Sequence, residues 1–373
     1  MTALDLIVAK FRKASPNVAA AFDEVQRRLT AVETPPVVAG PPSPAPPSSQ
    51  LGGLLPTRLP VSSGPVVSVA TVAELKSALA TCAFGSVIDG GGASFDFGAS
   101  LYALWSRDGN GTVTTLRNCV FTRSYMQIQG GRWFRLQDCT SVDSPYFGFK
   151  AEGSRYFEVL RCKANNAALS GFLLSLGSLD WQVWDSEAIS CGGNALDHGI
   201  YAEAHNAQCV IANFLSVDHK GFGVHVSTDR GSQYPTDGLI VTGYTSLRGD
   251  TKAASVLYST PGTVQKNVKL VGMVVKGSPG GAVYCYMPLA NSNRLYGLVE
   301  WQSGAVDTDY QIANVAPVSV VNADPLIDAN GRPAAGSPAA NLVPNSMHGY
   351  LPALDKDGLP RLTADAGCYR VPG

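Results

Sequence analysis

The stretch LDHGIYAEAHNAQ, residues 196–208, gathers Asp197, His198, Tyr201, Glu203 and His205 within ten residues, 197–206. Three of the chain's five histidines lie at 198, 205 and 219. Carboxylates and imidazoles are the side chains that move protons near neutral pH and ligate metals. The cluster is therefore either an active site or one turn of a repetitive structure that is polar here. The surrounding elements decide between them.

At 373 residues the chain exceeds the usual size of one compact core, which implies two domains or one elongated repeat. With 39 glycines and 15% charged residues it fits a turn-rich, β-rich protein. The formal charge is -1 and no basic block occurs, which argues against nucleic acid as a partner. No apolar run reaches the roughly 20 residues needed to span a bilayer. The start, MTALDLIVAKFRKAS, has Asp5 inside its short apolar run and does not read as a secretory signal. Most or all of the eight cysteines are then expected to be reduced. None shows CxxC or zinc spacing, so neither metal nor cofactor is expected.

Three regions follow along the chain. Residues 1–33 carry a heptad signature through Leu4, Val8, Phe11, Ser15, Val18, Phe22, Val25, Leu29 and Val32, interrupted at Ser15-Pro16. They read as a helical anchor or oligomerisation stem, or as an amphipathic hairpin on its own chain. Residues 34–65 are too proline-rich to pack a core and read as a stiff linker. From Val66 the pattern gives a strand, a helix begun at Thr71 with Val72, Leu75 and Leu79 apolar, and a strand near Val87–Ile88.

Beyond that cap the chain repeats. LRNCVFTRS, LQDCTSVDS, VLRCKANNA, VWDSEAISC, IANFLSVDH, VTGYTSLRG, LVGMVVKGS and LYGLVEWQS overlay on one slot, occupied by Cys119, Cys139, Cys162, Ser186, Asn213, Gly243, Gly272 and Gly297. Steps of 20 to 30 residues mean a solenoid. Each turn carries a second strand: YFGFKAEGS, SGFLLSLGS, HGIYAEAHN and KGFGVHVST. Leucine-rich repeats share the period, but their LxxLxL spacing is missing. The fold class expected is all-β, a parallel β-helix over 66–320 with a closing segment over 321–373. Coils would stack roughly 4.8 Å apart. Phe149 and Ala151 would face in, Lys150 and Glu152 out, and Phe172, Leu174 and Leu176 in. Asn118 and Asp138 suit left-handed corners.

The chain from about 66 to 370 resembles the right-handed parallel β-helix (pectate-lyase-like) superfamily. The resemblance rests on SVATVAELKSALA…GSVIDGGG as an entry cap and on the closing segments NADPLIDANGRPAAGSPAAN and LDKDGLPRLTADAGCY. A heptad stem and Pro-rich tether ahead of a β-helix resemble bacteriophage tailspikes and tail fibres, which are commonly trimers. The paired aspartates, Gly-His-Gly and Arg-x-Lys of polygalacturonase-like members are missing; Asp197-His198-Gly199 is a partial echo. The acidic calcium cluster of pectate-lyase-like members has no dense counterpart, although Asp218, Asp229 and Asp237 could approach Arg230 across coils.

Aligning Gly148, Gly171, Gly199 and Gly221 places Lys150, Leu173, Tyr201 and Gly223 in one outward column and Glu152, Ser175, Glu203 and His225 in the next. Glu203 would lie one coil, about 5 Å, from His225. Glu152 and Glu203 would be two coils apart, on the order of 9–10 Å, a separation used by inverting glycosidases. Glu203, Glu152 and His225 are thus the candidate catalytic set, and Tyr201, Lys150, Asp197 and His198 the candidate glycan contacts. The alternative is a solvated polar face. Cys119, Cys139 and Cys162 read as an inward stack of thiols. The five tryptophans read as packing residues or sugar platforms.

Two functions compete. One is a virion spike or fibre: a homotrimer docked to other virion proteins through residues 1–33 and binding a bacterial surface polysaccharide. The other is a polysaccharide hydrolase or lyase on the same scaffold. The expected location is the virion, made in the host cytoplasm, with an extracellular or cell-surface adhesin as the alternative.

Overall fold

The computed structural model describes residues 52–194, 196–203, 208–227, 236–250, 255–258, 265–286, 294–301 and 316–372. The stem expected over 1–33 and the first part of the linker expected over 34–65, up to residue 51, lie outside them, as do His205, Asp229 and Arg230.

The cap forms as its sequence dictates. Thr71 is the N-cap of helix α1, Val72–Thr81: its hydroxyl accepts the Glu74 amide while the Glu74 carboxylate accepts the Thr71 amide. This reciprocal pairing satisfies amides that a helix start leaves open. Leu75, Ala78 and Leu79 bury one stripe of the helix against the first coils.

The rest is a parallel β-solenoid. One coil runs through strand Arg155–Leu160, a left-handed corner at Arg161, strand Lys163–Asn165, a second left-handed corner at Asn166, and strand Phe172–Ser175. Each strand pairs in parallel with its copy one coil on: Arg155 with Leu179, Lys163 with Glu187, Phe172 with Ile200. The first two strand types of each coil belong to a 17-stranded sheet and the third to an 8-stranded sheet. Alternation within the strands fills the space between sheets. Phe149, Phe172, Ile200 and Val224 share one inward column, and the Phe149 and Phe172 rings stack at 5.2 Å. Such a contact adds about 0.5–1.5 kcal/mol to the burial itself.

The inward slot after the first corner holds Cys119, Cys139, Cys162 and Ser186, as the repeat implies. Register then continues it through Phe214, Tyr244, Met273 and Leu298. The residues expected there, Asn213, Gly243, Gly272 and Gly297, instead form the corner, all with positive φ. They continue Asn118, Asp138, Arg161 and Asp185. A left-handed backbone costs an ordinary residue about 1–2 kcal/mol. Bonds between corners offset this: Arg161 pairs with Asp138 at 2.7 Å, and Asn213 donates to Asp185 at 2.8 Å. The later glycines avoid the strain by lacking a Cβ. Among the described residues the cysteines are free and buried, and thiols of this slot donate to nearby carbonyls such as Arg117 and Gln137.

Two side chains depart from simple alternation. Leu176, expected inward, is 42% exposed because the chain turns left-handed there. Ser175, expected outward, is buried at the same corner, where its carbonyl accepts the Ser178 hydroxyl.

The folded body begins earlier than the composition implies. Residues 52–64 lie as a strap, a turn at 52–55 followed by an irregular run, across the outward column Thr115, Arg135, Glu158 and Gln182, one residue per coil. Ser62 bonds Thr115 and the Val113 carbonyl, the Leu59 carbonyl accepts from Arg135, Arg58 pairs with Glu158, and the Thr57 carbonyl accepts from Gln182. An extended chain rises about 3.3 Å per residue, so one to two strap residues match each coil. The closing segment returns along the solenoid from strand Ala316–Asn322: Val343 packs over Gly272 and Gly297, Arg361 reaches Asn213, and Lys356 reaches Glu187. His348, in this segment, is buried and bonds the Val343 carbonyl.

Candidate functional site

The polar stretch at 197–203 lies on the outer side of the 8-stranded sheet. Its loop is pinned by Asp197, whose carboxylate accepts the amides of Gly193 and Asn194 at 3.0 and 3.1 Å. The Asp197 carbonyl accepts the amide of Gly221 on the next coil at 2.7 Å. Asp197 is thus a loop-closing residue, 8% exposed.

His198 follows. Its ring Nδ1 lies 3.1 Å from the Phe222 amide, which can only donate. Nδ1 is therefore the acceptor, and the ring proton sits on Nε2. That proton points at Nδ1 of His225, 2.7 Å away. His225 in turn pairs in register with Tyr201, not with Glu203. The expected column slipped by two residues. Gly199 stacks on Gly223 rather than Gly221: the Ile200 amide donates to the Gly223 carbonyl at 2.9 Å. A two-residue slip preserves the inward and outward alternation, so hydrophobic pattern cannot detect it. Space does. A Cβ on Gly199 would meet the Gly223 carbonyl oxygen at 2.5 Å and the Ser216 hydroxyl at 2.6 Å.

The corrected register assembles four rings. His198 lies 5.9 Å from Tyr201, 5.5 Å from Phe222 and 4.4 Å from His225. His225 lies 4.8 Å from Tyr201 and 5.3 Å from Phe222. Tyr201, Phe222 and His225 are partly exposed, while His198 is buried beneath them. Phe222 escaped the sequence reading; the KGFG corner matched against GHG-like corners was the signal that could have found it.

The two carboxylates are each engaged. Glu152 faces out and pairs with Lys150 at 3.0 Å. Glu203 is 3% exposed, and one of its oxygens accepts the Leu176 amide at 2.8 Å at the left-handed corner of the preceding coil. Ser175 stands opposite Glu152. Glu152 and Glu203 are thus two coils apart, as the spacing implies, with that corner between them. His219 lies behind the site in the core, with Nδ1 on the Gly221 carbonyl and Nε2 on the Ser246 hydroxyl. Burial pushes its pKa below the ordinary histidine value.

The same outer face continues toward the cap. Tyr102 and Tyr125 lie 5.4 Å apart, Tyr125 meets Phe147 edge-on at 6.2 Å, and the Lys150 ammonium sits over Phe147. Leu104, Gln127, Lys150, Leu173, Tyr201 and His225 form one outward column in register. Of the other tryptophans, Trp105 and Trp181 are core residues, Trp133 stacks on Tyr156 at 4.4 Å, and Trp184 lies under Arg58. Asp218 and Asp237 do not join in one cluster: Asp218 pairs with Arg248 and Asp237 with Asn267. Among the described residues no group of three or more acidic, histidine or cysteine side chains is arranged to hold a metal ion.

No protein-family model and no curated protein sequence matches the chain. Solved structures do. Pectate lyase Pel9A is 12% identical with a TM-score of 0.45, over 87% of this chain and 99% of that one. An alginate lyase from Paenibacillus sp. str. FPU-7 is 13% identical with a TM-score of 0.39, over 64% and 88%. The catalytic domain of a GH87 alpha-1,3-glucanase is 9% identical with a TM-score of 0.31, over 77% and 70%.

Proposed function

We propose that this chain is a glycan-binding solenoid, built as the body of a bacteriophage-type spike or fibre. The observation that carries the reading is the ring cluster of His198, Tyr201, Phe222 and His225, continued along one face by Lys150 and the Tyr102–Tyr125–Phe147 line. Aromatic faces stack on the apolar faces of sugar rings, while imidazole, ammonium and phenol groups exchange hydrogen bonds with hydroxyls. In this reading the heptad stem trimerises the chain and docks it to other virion proteins, and the protein resides in the virion.

The test is binding of purified surface polysaccharide from candidate hosts to the full chain, measured by surface plasmon resonance. Tyr201→Ala is expected to weaken binding at least about tenfold, equal to about 1.4 kcal/mol. Unchanged affinity would discard this face. Light scattering with and without residues 1–33 tests the trimer; a monomer in both removes the spike architecture.

A depolymerase is the second reading, favoured by the His198–His225 bond, which fixes one tautomer and leaves an imidazole pair suited to proton transfer. Glu203→Gln would then abolish release of oligosaccharide from the polymer, with binding retained. No release by the parent protein leaves binding alone.

A further inference from the structure

At the cap end of the same face, helix α1 and strand Tyr102–Trp105 border a half-open cavity of about 800 Å³. This is within the range of small-ligand sites, roughly 300–1,000 Å³. Its walls are apolar at Leu79, Leu101 and Leu104, and polar at Ser100 and Ser106. Two cations line it, Lys76 and Arg107, and among the described residues no carboxylate does. Each cation rests on aromatic rings, and Arg107 also donates to the Leu79 carbonyl at 3.4 Å and to the Cys82 sulfur at 3.5 Å. The Lys76 ammonium lies 5.3 Å from the Phe97 centroid, and the Arg107 guanidinium 4.4 Å from Phe84 and 5.3 Å from Trp105. A cation held over a ring keeps its full charge, so the cavity is electropositive. Leu101, on its rim, is held left-handed at φ 61, a strained geometry for a branched residue. Tyr102, 36% exposed, joins the cavity to Tyr125 and so to the aromatic line.

We propose that this cavity is a terminal subsite for a negatively charged saccharide unit, its anionic group between Lys76 and Arg107 and its ring against Tyr102 and Leu104. The proposal deepens the glycan-binding reading and rests on it for the polymer, although the subsite itself can be tested alone. The anionic group can be a carboxylate or a phosphate. Glucuronate, glucose 6-phosphate and glucose are therefore the probes, each titrated into the full chain and followed by saturation-transfer NMR.

One or both anionic probes should bind at least about tenfold more tightly than glucose, and the one that binds identifies the group. Their affinity should fall with added salt, because exposed charges are screened. Lys76 is exposed on the helix, so Lys76→Glu leaves the fold intact and should abolish the preference. Equal binding of all three probes, or a preference that survives Lys76→Glu, overturns the subsite. Polymer binding separates the two readings. Loss in Tyr201→Ala with no change in Lys76→Glu keeps the face and removes the subsite. A salt- and Lys76-dependent anion preference with polymer binding indifferent to Tyr201→Ala keeps the subsite and removes the face.

Discussion

Gly199→Ala tests the coil stacking at the position where sequence and structure disagree. The new methyl would sit 2.5 Å from the Gly223 carbonyl oxygen, 2.6 Å from the Ser216 hydroxyl and 3.3 Å from its Cβ. Real Cβ atoms do not approach backbone oxygen so closely, and the obstructing oxygen belongs to a paired strand of the next coil. That coil cannot retreat without stretching the Ile200-to-Gly223 hydrogen bond of 2.9 Å. Overpacking a rigid site costs about 1–3 kcal/mol, and two simultaneous clashes place this change near the upper end. Urea unfolding followed by tryptophan fluorescence is a suitable assay, since Trp181 is fully buried nearby in the core. Ser216→Ala in the same chain should recover only part of the loss, because the backbone oxygen remains. Gly53→Ala, with nothing within 4 Å, is the control and should change stability by less than about 0.5 kcal/mol. If Gly199→Ala unfolds within that same margin of the parent, the Gly199–Gly223 register is wrong, and with it the ring cluster.

Three further outcomes follow from the packing. Glu158 is fully buried between Arg135 and Arg58, so Glu158→Ala strands a buried guanidinium and should cost about 3–5 kcal/mol, whereas Arg58→Ala, at the partly exposed strap, should cost less but measurably; no effect of Arg58→Ala in urea unfolding would refute the strap's placement. Because His219 has its pKa lowered by burial, the unfolded chain takes up a proton that the folded chain resists. Stability should therefore fall as pH drops below the ordinary histidine value of about 6.5, by at most about 1.4 kcal/mol per pH unit, and His219→Gln should flatten that slope. Burial raises the pKa of Cys139 and brings that of Cys191 to about 11, so a thiol-specific disulfide reagent should leave both untouched in the native protein and react with all eight cysteines in concentrated guanidinium.

The solenoid was legible because its physics is local and periodic. Side chains alternate every second residue, corners favour Asn, Asp or Gly, and each coil restates both preferences. Phe149 and Ala151 inward, Lys150 and Glu152 outward, and the thiol stack at Cys119, Cys139 and Cys162 all follow from that repetition. Corner and slot were confused from Asn213 onward because Gly243, Gly272 and Gly297 stand where earlier coils carry Asn, Asp or Arg, and a glycine alone does not announce which side of the bend it occupies.

What the string determined by itself is that its residues wind into stacked coils, and which side of each strand meets the core. Tertiary structure alone decided which coil neighbour each residue meets. A shift of two residues leaves every side chain on its proper face, so only contact between backbones, such as Gly199 against Gly223, separates His225 beside Tyr201 from His225 beside Glu203. The strap was hidden for a related reason: residues 52–64 have the composition of a tether, and their order comes from polar side chains more than fifty residues away that happen to line up along the solenoid.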